Sequence, residues 1–158
     1  MILKLFTSFF CIILMFTSTS TEEEYKKEYY ASGVLKAEGR MENNQKTGYW
    51  KYYHPNASVQ KKGPYHKGEK HGYWYFYSRE NNLLKEGHFR NGTRNDWWVF
   101  HNGKYALKVQ YQDGQREGYA LVYEQNKLRK ALKYEHDKKV GEWTSIIRFK
   151  IDNPTVNF

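Results

Sequence analysis

A chain of 158 residues fits one domain and is too short for two independent domains joined by a linker. It carries 18% aromatic residues, with 15 Tyr and 5 Trp, at a mean hydropathy of −0.95 and a net charge of +9, so rings must supply most of the buried area. A single cysteine, Cys11, excludes a disulfide framework or a cysteine-ligated metal.

Residues 1–20 have the pattern of a secretory signal peptide: Lys4 is the positive region, Leu5 to Phe16 the apolar region, and Thr17 to Ser20 the small residues before a cleavage expected after Ser20. The apolar run falls short of the roughly 20 residues a membrane span needs. Phe9 and Phe10 precede Cys11, where a lipidation site would want a small residue. Loss of this segment removes Lys4 alone and leaves a basic chain of +8, suited to anionic surfaces or simply to solubility. The expected location is therefore outside the cytosol: periplasmic, envelope-associated or extracellular. Residues 21–29, acidic and then mixed in charge, are expected as a solvated lead-in before a first strand near Tyr29 or Tyr30.

From residue 30 to 146 the chain is periodic. Gly48-Tyr49-Trp50, Gly72-Tyr73-Trp74, Asp96-Trp97-Trp98, Gly118-Tyr119-Ala120 and Gly141-Glu142-Trp143 begin at spacings of 24, 24, 22 and 23 residues, the mark of a repeat. Four residues before each start stands a residue that tolerates a left-handed backbone: Asn44, Gly68, Gly92, Gly114 or Asp137. Asn91-Gly92 and Asp113-Gly114 suit a type I′ hairpin tip, and Asn102-Gly103 repeats that signature in the shortest connection. On the incoming strands Leu35, Val59, Leu83, Tyr105 and Leu128 lead to Gly39, Gly63, Gly87, Val109 and Leu132, then to Met41, Tyr65, Phe89, Tyr111 and Tyr134. The outgoing strands supply Trp50, Trp74, Trp98, Ala120 and Trp143, then Tyr52, Phe76, Phe100, Val122 and Ser145. Period two with one apolar face predicts half-buried strands. The expected fold is all-β, an elongated single antiparallel sheet of about five tandem β-hairpins whose core is Trp50, Trp74, Trp98, Trp143, Tyr65, Phe89, Tyr111 and Tyr134. Residues 147–158 are expected as a cap strand and tail, because Ile147, Phe149 and Ile151 alternate with Arg148 and Lys150 before Pro154 ends pairing.

Gly72, Trp74, Tyr77, Glu86, Gly87, Phe89 and Gly92 resemble, position by position, the variant form of the MORN repeat. The resemblance covers roughly Tyr30 to Thr144, with departures at Asp96, Ala120, Val109 and Leu132. It implies tandem hairpins. MORN-like modules act as scaffolds, protein-binding arms or lipid binders, and some bacterial variant members are grouped with antitoxins, so the resemblance implies no site residues.

The opposite face of the outgoing strands carries Tyr49, Tyr73, Tyr75, Tyr77, Trp97, Val99, Tyr119, Leu121 and Tyr123. Such rows stack on sugars, bases or a partner chain, or else the sheet curls and buries parts of both faces or the rings pair across strands. Histidines 54, 66, 71, 88, 101 and 136 lack ligand spacing, and glycines fall only at hairpin punctuation, so neither catalytic residues nor a metal or cofactor site is expected. Asn56-Ala57-Ser58 and Asn91-Gly92-Thr93 match the glycosylation sequon. The leading expectation is a non-enzymatic exported scaffold that binds a protein or an envelope polymer through the aromatic sheet face, with no nucleic-acid partner. The alternatives are a peripheral binder of anionic membrane lipid, using Lys61, Lys62, Lys67 and Lys70, and an antitoxin- or immunity-like protein that neutralises a toxin.

Overall fold

In the computed structural model, which describes residues 22–156, alternating side chains and tight turns build one open antiparallel sheet of twelve strands. The expected signal segment 1–20 lies outside the described residues. The strands are β1 (Glu23–Tyr29), β2 (Leu35–Glu42), β3 (Gln45–Tyr53), β4 (Val59–His66), β5 (Glu69–Lys70), β6 (Gly72–Tyr77), β7 (Leu83–Arg90), β8 (Thr93–Asn102), β9 (Tyr105–Gln112), β10 (Gln115–Glu124), β11 (Lys127–Glu135) and β12 (Lys138–Trp143). They follow in chain order, with the two-residue β5 pairing on β4. This is the elongated hairpin sheet that the periodicity predicts.

Five hairpin tips hold two successive residues at positive φ: Asn43-Asn44, Lys67-Gly68, Asn91-Gly92, Asp113-Gly114 and His136-Asp137. Both central residues at positive φ define the I′ turn, whose twist matches the strands it joins. From the second tip onward the N–H of the second tip residue donates across to the preceding hairpin, Gly68 to Lys46, Gly92 to Lys70, Gly114 to Arg94 and Asp137 to Arg116, at 2.8–3.0 Å. The tips are thereby stacked. Asn102-Gly103 departs from the expected I′ turn: the central pair is Gly103-Lys104, and only Gly103 has positive φ. A I′ turn sits instead at Gln125-Asn126, between β10 and β11.

The first glycine of each repeat has a backbone task. After two or three regular pairs from the tip, the outgoing strand accommodates two extra residues, Gly48-Tyr49, Gly72-Tyr73, Asp96-Trp97 and Gly118-Tyr119, opposite a strand that continues without them. The leading residue of each bulge has φ between 60° and 90°, the left-handed region that glycine adopts freely and aspartate tolerates. The fifth hairpin differs. Between Tyr134↔Lys139 and Lys133↔Gly141 only Val140 is extra, and Gly141 has no positive φ. One residue fewer flips every later side chain to the other face. Glu142 therefore continues the tryptophan row opposite Leu132, and Trp143, expected in that row, pairs with Ala131 on the reverse face.

Two more expectations need correction. The lead-in 21–29 is not solvated coil over most of its length, since Glu23–Tyr29 is a strand paired with β2, and its mixed charges suit an edge. The cap strand expected over 147–158 is instead a helix, α1 (Ile146–Asp152), whose N-cap is Ser145; its hydroxyl accepts from the Arg148 N–H at 3.3 Å. Phe149 alone of this helix is buried, and it closes a small core with Leu121 and Ala131 on the sheet face opposite Trp50, Trp74 and Trp98.

Candidate functional site

The tryptophan face consists of three rows that run across the strands. Trp50, Trp74 and Trp98 form the central row and are fully buried although the sheet is a single layer. Each indole lies flat on the preceding strand's glycine, so that a Cβ at Gly39, Gly63 or Gly87 would overlap the ring of Trp50, Trp74 or Trp98. Each ring N–H donates to a backbone carbonyl beside the bulge: Trp50 to Arg40 at 2.8 Å, Trp74 to Pro64 at 2.9 Å, Trp98 to His88 at 2.8 Å. Where the tryptophan is lost, the glycine is lost as well: Val109 faces Ala120, and Leu132 lies between Ala120 and Glu142. The missing indole leaves an apolar pocket of about 170 Å³ among residues including Phe100, Val109, Ala120 and Leu132. At the bulge beside this pocket the Tyr119 N–H donates to Gln110 Oε1 at 2.6 Å.

The flanking rows alternate rings with cations. Two residues beyond every tip stands Lys46, Lys70, Arg94, Arg116 or Lys139, a uniformly basic column. The Lys46 ammonium sits 4.1 Å from the Trp50 ring centroid, Lys70 lies 5.2 Å from Trp74 and 4.9 Å from Phe89, and the Arg94 guanidinium 4.9 Å from Trp98. On the other flank the register runs Tyr52, Lys61, Phe76, Lys85, Phe100, with Lys61 4.4 Å over Tyr52 and Lys85 5.1 Å over Phe76. Burial lowers the ammonium pKa of Lys61, Lys70 and Lys85, and neighbouring cations lower each further. Carboxylates occur at the two ends of this face: Glu28 is 3.9 Å from Lys46, and Glu142 bonds Lys130 at 2.7 Å and Lys139 at 2.6 Å. In the middle, Lys61, Lys70, Lys85 and Arg94 form no ion pair with any described residue. The basic column escapes an apolar reading because its residues look like surface charge; only the tip as reference position makes it a column.

The seven residues expected as a binding face divide into an open and a covered group. Tyr49 is 49% exposed, and Tyr73, Tyr75 and Tyr77 on β6 are half-buried beside it. The rings of Tyr75 and Tyr77 stack at 6.5 Å with 21° between planes, Tyr73 meets Tyr75 at 5.0 Å, and Lys62 lies 5.5 Å over Tyr75 and 5.4 Å over Tyr77. Burial and the Glu86 carboxylate push the Tyr73 phenol up to about 12, so it is a neutral hydrogen-bonding group at any physiological pH. Trp97, Tyr119 and Tyr123 instead pack against the Leu121, Ala131 and Phe149 cluster. The Tyr119 hydroxyl donates to Asn153 Oδ1 at 2.6 Å and its ring meets Phe149 at 5.6 Å. The chain's own C-terminal helix occupies that part of the face.

The turn glycines Gly68, Gly92 and Gly114 all lie at positive φ in the tips. The histidines do not converge: His54 contacts the Tyr77 carbonyl at 3.1 Å, His101 meets Glu86 at 3.2 Å, and His66 faces His71 at 5.9 Å between ring centroids. Among the described residues no three His, Cys, Asp or Glu side chains gather to hold a metal ion. The lysines considered for lipid are split, Lys61 and Lys70 on the tryptophan face, Lys62 over the tyrosine row, Lys67 at a tip. Asn56 of the first sequon donates from Nδ2 to the Arg79 carbonyl at 3.0 Å, a loop-bracing role.

No family model and no curated protein matches the chain. Repeat geometry and surface chemistry are accordingly the ground for any functional reading.

Proposed function

We propose that the protein is an exported, non-enzymatic scaffold of the MORN-like repeat kind that binds a protein or an envelope polymer through its tyrosine face. The observation that carries this reading is the row of exposed Tyr49 and half-buried Tyr73, Tyr75 and Tyr77, in register, through Glu86, Val99 and Lys108, with the part of the face that α1 covers. At the covered end Tyr119 and Trp143 receive Phe149, at 5.6 and 5.2 Å between ring centroids. The same face thus already docks an apolar side chain on aromatic rings, and tyrosine is well suited to such anchors because a rigid ring contributes area at low entropic cost. A rigid sheet without long loops supports a platform role. The stacked tips and the paired bulges fix ring positions before a partner arrives.

The test is recovery of partners from envelope extract by the purified protein and by a Tyr73→Ser, Tyr75→Ser variant, each at low and at high salt. A partner held at high salt by the wild type and lost by the variant supports the reading. Retention by the variant equal to that of the wild type overturns it.

A further inference from the structure

The middle of the tryptophan face carries cations that lie over rings yet have no acid partner among the described residues. Lys61, Lys70, Lys85 and Arg94 come from β4, β5, β7 and β8 of one sheet, lie on one face, and have no carboxylate within ion-pair reach among the described residues. Elsewhere on the same face Lys46, Lys130 and Lys139 are each given an acid. Lys70 sits in the field of Lys61, Lys85 and Arg94, and burial removes part of the water that would screen them. Like charges so placed repel, and an arriving anion relieves the repulsion as well as gaining its own attraction.

We propose that this face binds a linear acidic polysaccharide laid along the rows, across the strands. This goes beyond the scaffold reading, because it uses the opposite face of the sheet and four other side chains. Equivalent cations recur every two strands, about 10 Å apart at the usual strand spacing of roughly 4.8 Å. A chain with charges distributed along its length can therefore meet Lys61 then Lys85 in one row, and Lys70 then Arg94 in the other. Two other polyanions fit less well. Single-stranded nucleic acid binds by stacking bases on open rings, whereas Trp74 and Trp98 are fully buried and Phe76 and Phe89 lie half-buried beneath cations. An anionic bilayer attracts protruding basic segments at its surface, whereas these side chains fold back over rings, at 4.4 to 5.2 Å from the centroids.

The experiment measures affinity of the purified protein for alginate and for dextran sulfate, with single-stranded oligothymidylate and phosphatidylserine vesicles as competing probes. Neutralising the patch in Lys61→Gln, Lys70→Gln, Lys85→Gln, Arg94→Gln is expected to lower glycan affinity by about ten-fold or more at low salt, with a shallower salt dependence as fewer counterions are released. A charge-matched control, Lys51→Gln, Lys67→Gln, Lys127→Gln, Lys138→Gln, is expected to stay within about three-fold of the wild type. Because the four cations also cap rings, Lys61→Arg with Lys85→Arg serves as a second variant, which keeps charge and is expected to keep binding. Equal losses in the patch and control variants would reduce the effect to net charge and overturn the site. Tighter binding of oligothymidylate or vesicles than of either glycan, lost in the patch variant, would overturn the choice of ligand. Tyr73→Ser, Tyr75→Ser is expected to leave glycan binding unchanged, so failure of the tyrosine-face reading and failure of this one are separately visible.

Discussion

Trp98 lies over Gly87 and donates its ring N–H to the His88 carbonyl, so tryptophan, glycine and bulge act as one unit. A methyl group at Gly87 would have to displace the indole, and overpacking of that kind costs about 1–3 kcal/mol. Gly87→Ala is accordingly expected to lower the urea midpoint markedly, whereas Gly33→Ala, where a Cβ meets nothing within 4 Å, would report only the cost of its positive φ. An unchanged midpoint for Gly87→Ala would show that the indole can move at no cost. The coupling also explains the departures at the fourth repeat, which the sequence presents as unrelated: Val109 is permitted because Ala120 has no ring to lay over it. Ala120→Trp alone should destabilise, by clash with Val109, while Ala120→Trp with Val109→Gly should recover stability by filling the pocket of about 170 Å³. Equilibrium unfolding of the two single variants and the double variant is expected to give a favourable coupling of about 0.5–3 kcal/mol, as for residues in direct contact. Strict additivity would sink the account. The columns themselves were legible from spacing, but which residue touches which was not, because a sequence column says nothing of the direction in which an indole lies.

At the scale of elements, β12 and α1 show where periodicity misleads. Ile147, Phe149 and Ile151 alternate as a strand would, yet Phe149 alone is buried and Ile147 and Ile151 are 76% and 64% exposed, because on a helix residues two apart point to different sides. Ser145 as N-cap was the available signal, without the acidic third residue that completes a capping box. Trp143 misled for a related reason: its sequence column is intact, but a bulge one residue shorter turns it toward Phe149, 5.2 Å between ring centroids. Phe149→Ala is therefore expected to cost about 3–5 kcal/mol and to release Tyr119. Near-ultraviolet circular dichroism and denaturant unfolding would register both, and a wild-type spectrum in the variant would exclude this packing. The edge strand is also held by charge. Hydrogen bonds from Lys130 and Lys139 hold the Glu142 carboxyl down to about 2, well below its ordinary value. A depressed carboxylate stabilises fully above its unfolded value near 4.3 and loses that contribution as pH falls toward 2. Amide exchange should therefore show β12 loosening between those limits before the central strands do, and a Glu142 carboxyl titrating near 4.3 by nuclear magnetic resonance would contradict it.

Across the whole molecule, apart from the two-residue β5, which lies beside the path from β4 to β6, each strand pairs with its neighbours in chain order, so stability accumulates hairpin by hairpin as in other linear repeats. Among the described residues that architecture leaves two edges, β1 and β12, whose outer backbone donors and acceptors no further strand covers and which invite another copy. Both edges are charged: β1 contains Glu23, Glu24, Lys26, Lys27 and Glu28, and β12 contains Lys138, Lys139 and Glu142. A second β1 aligned antiparallel about Lys26 would set Lys26 opposite Lys26 and Glu24 opposite Glu28, and like charges directly opposite are destabilising. The far edge has a second device, because α1 folds back onto the sheet beside β11 and β12. Charge on β1 is then expected to keep copies apart at that end. Light scattering during gel filtration should find the wild type as a monomer at micromolar concentration. Glu24→Val, Lys26→Val and Glu28→Val together, which put β-branched residues on one side of the strand, should give a mass that rises with concentration. The Lys46 partner is lost in this variant too, since Glu28 lies 3.9 Å from it, so Glu28→Val alone is the needed control and should remain monomeric. A triple variant that stayed monomeric would mean that twist or the loop at Tyr30 to Val34, rather than charge, guards this edge.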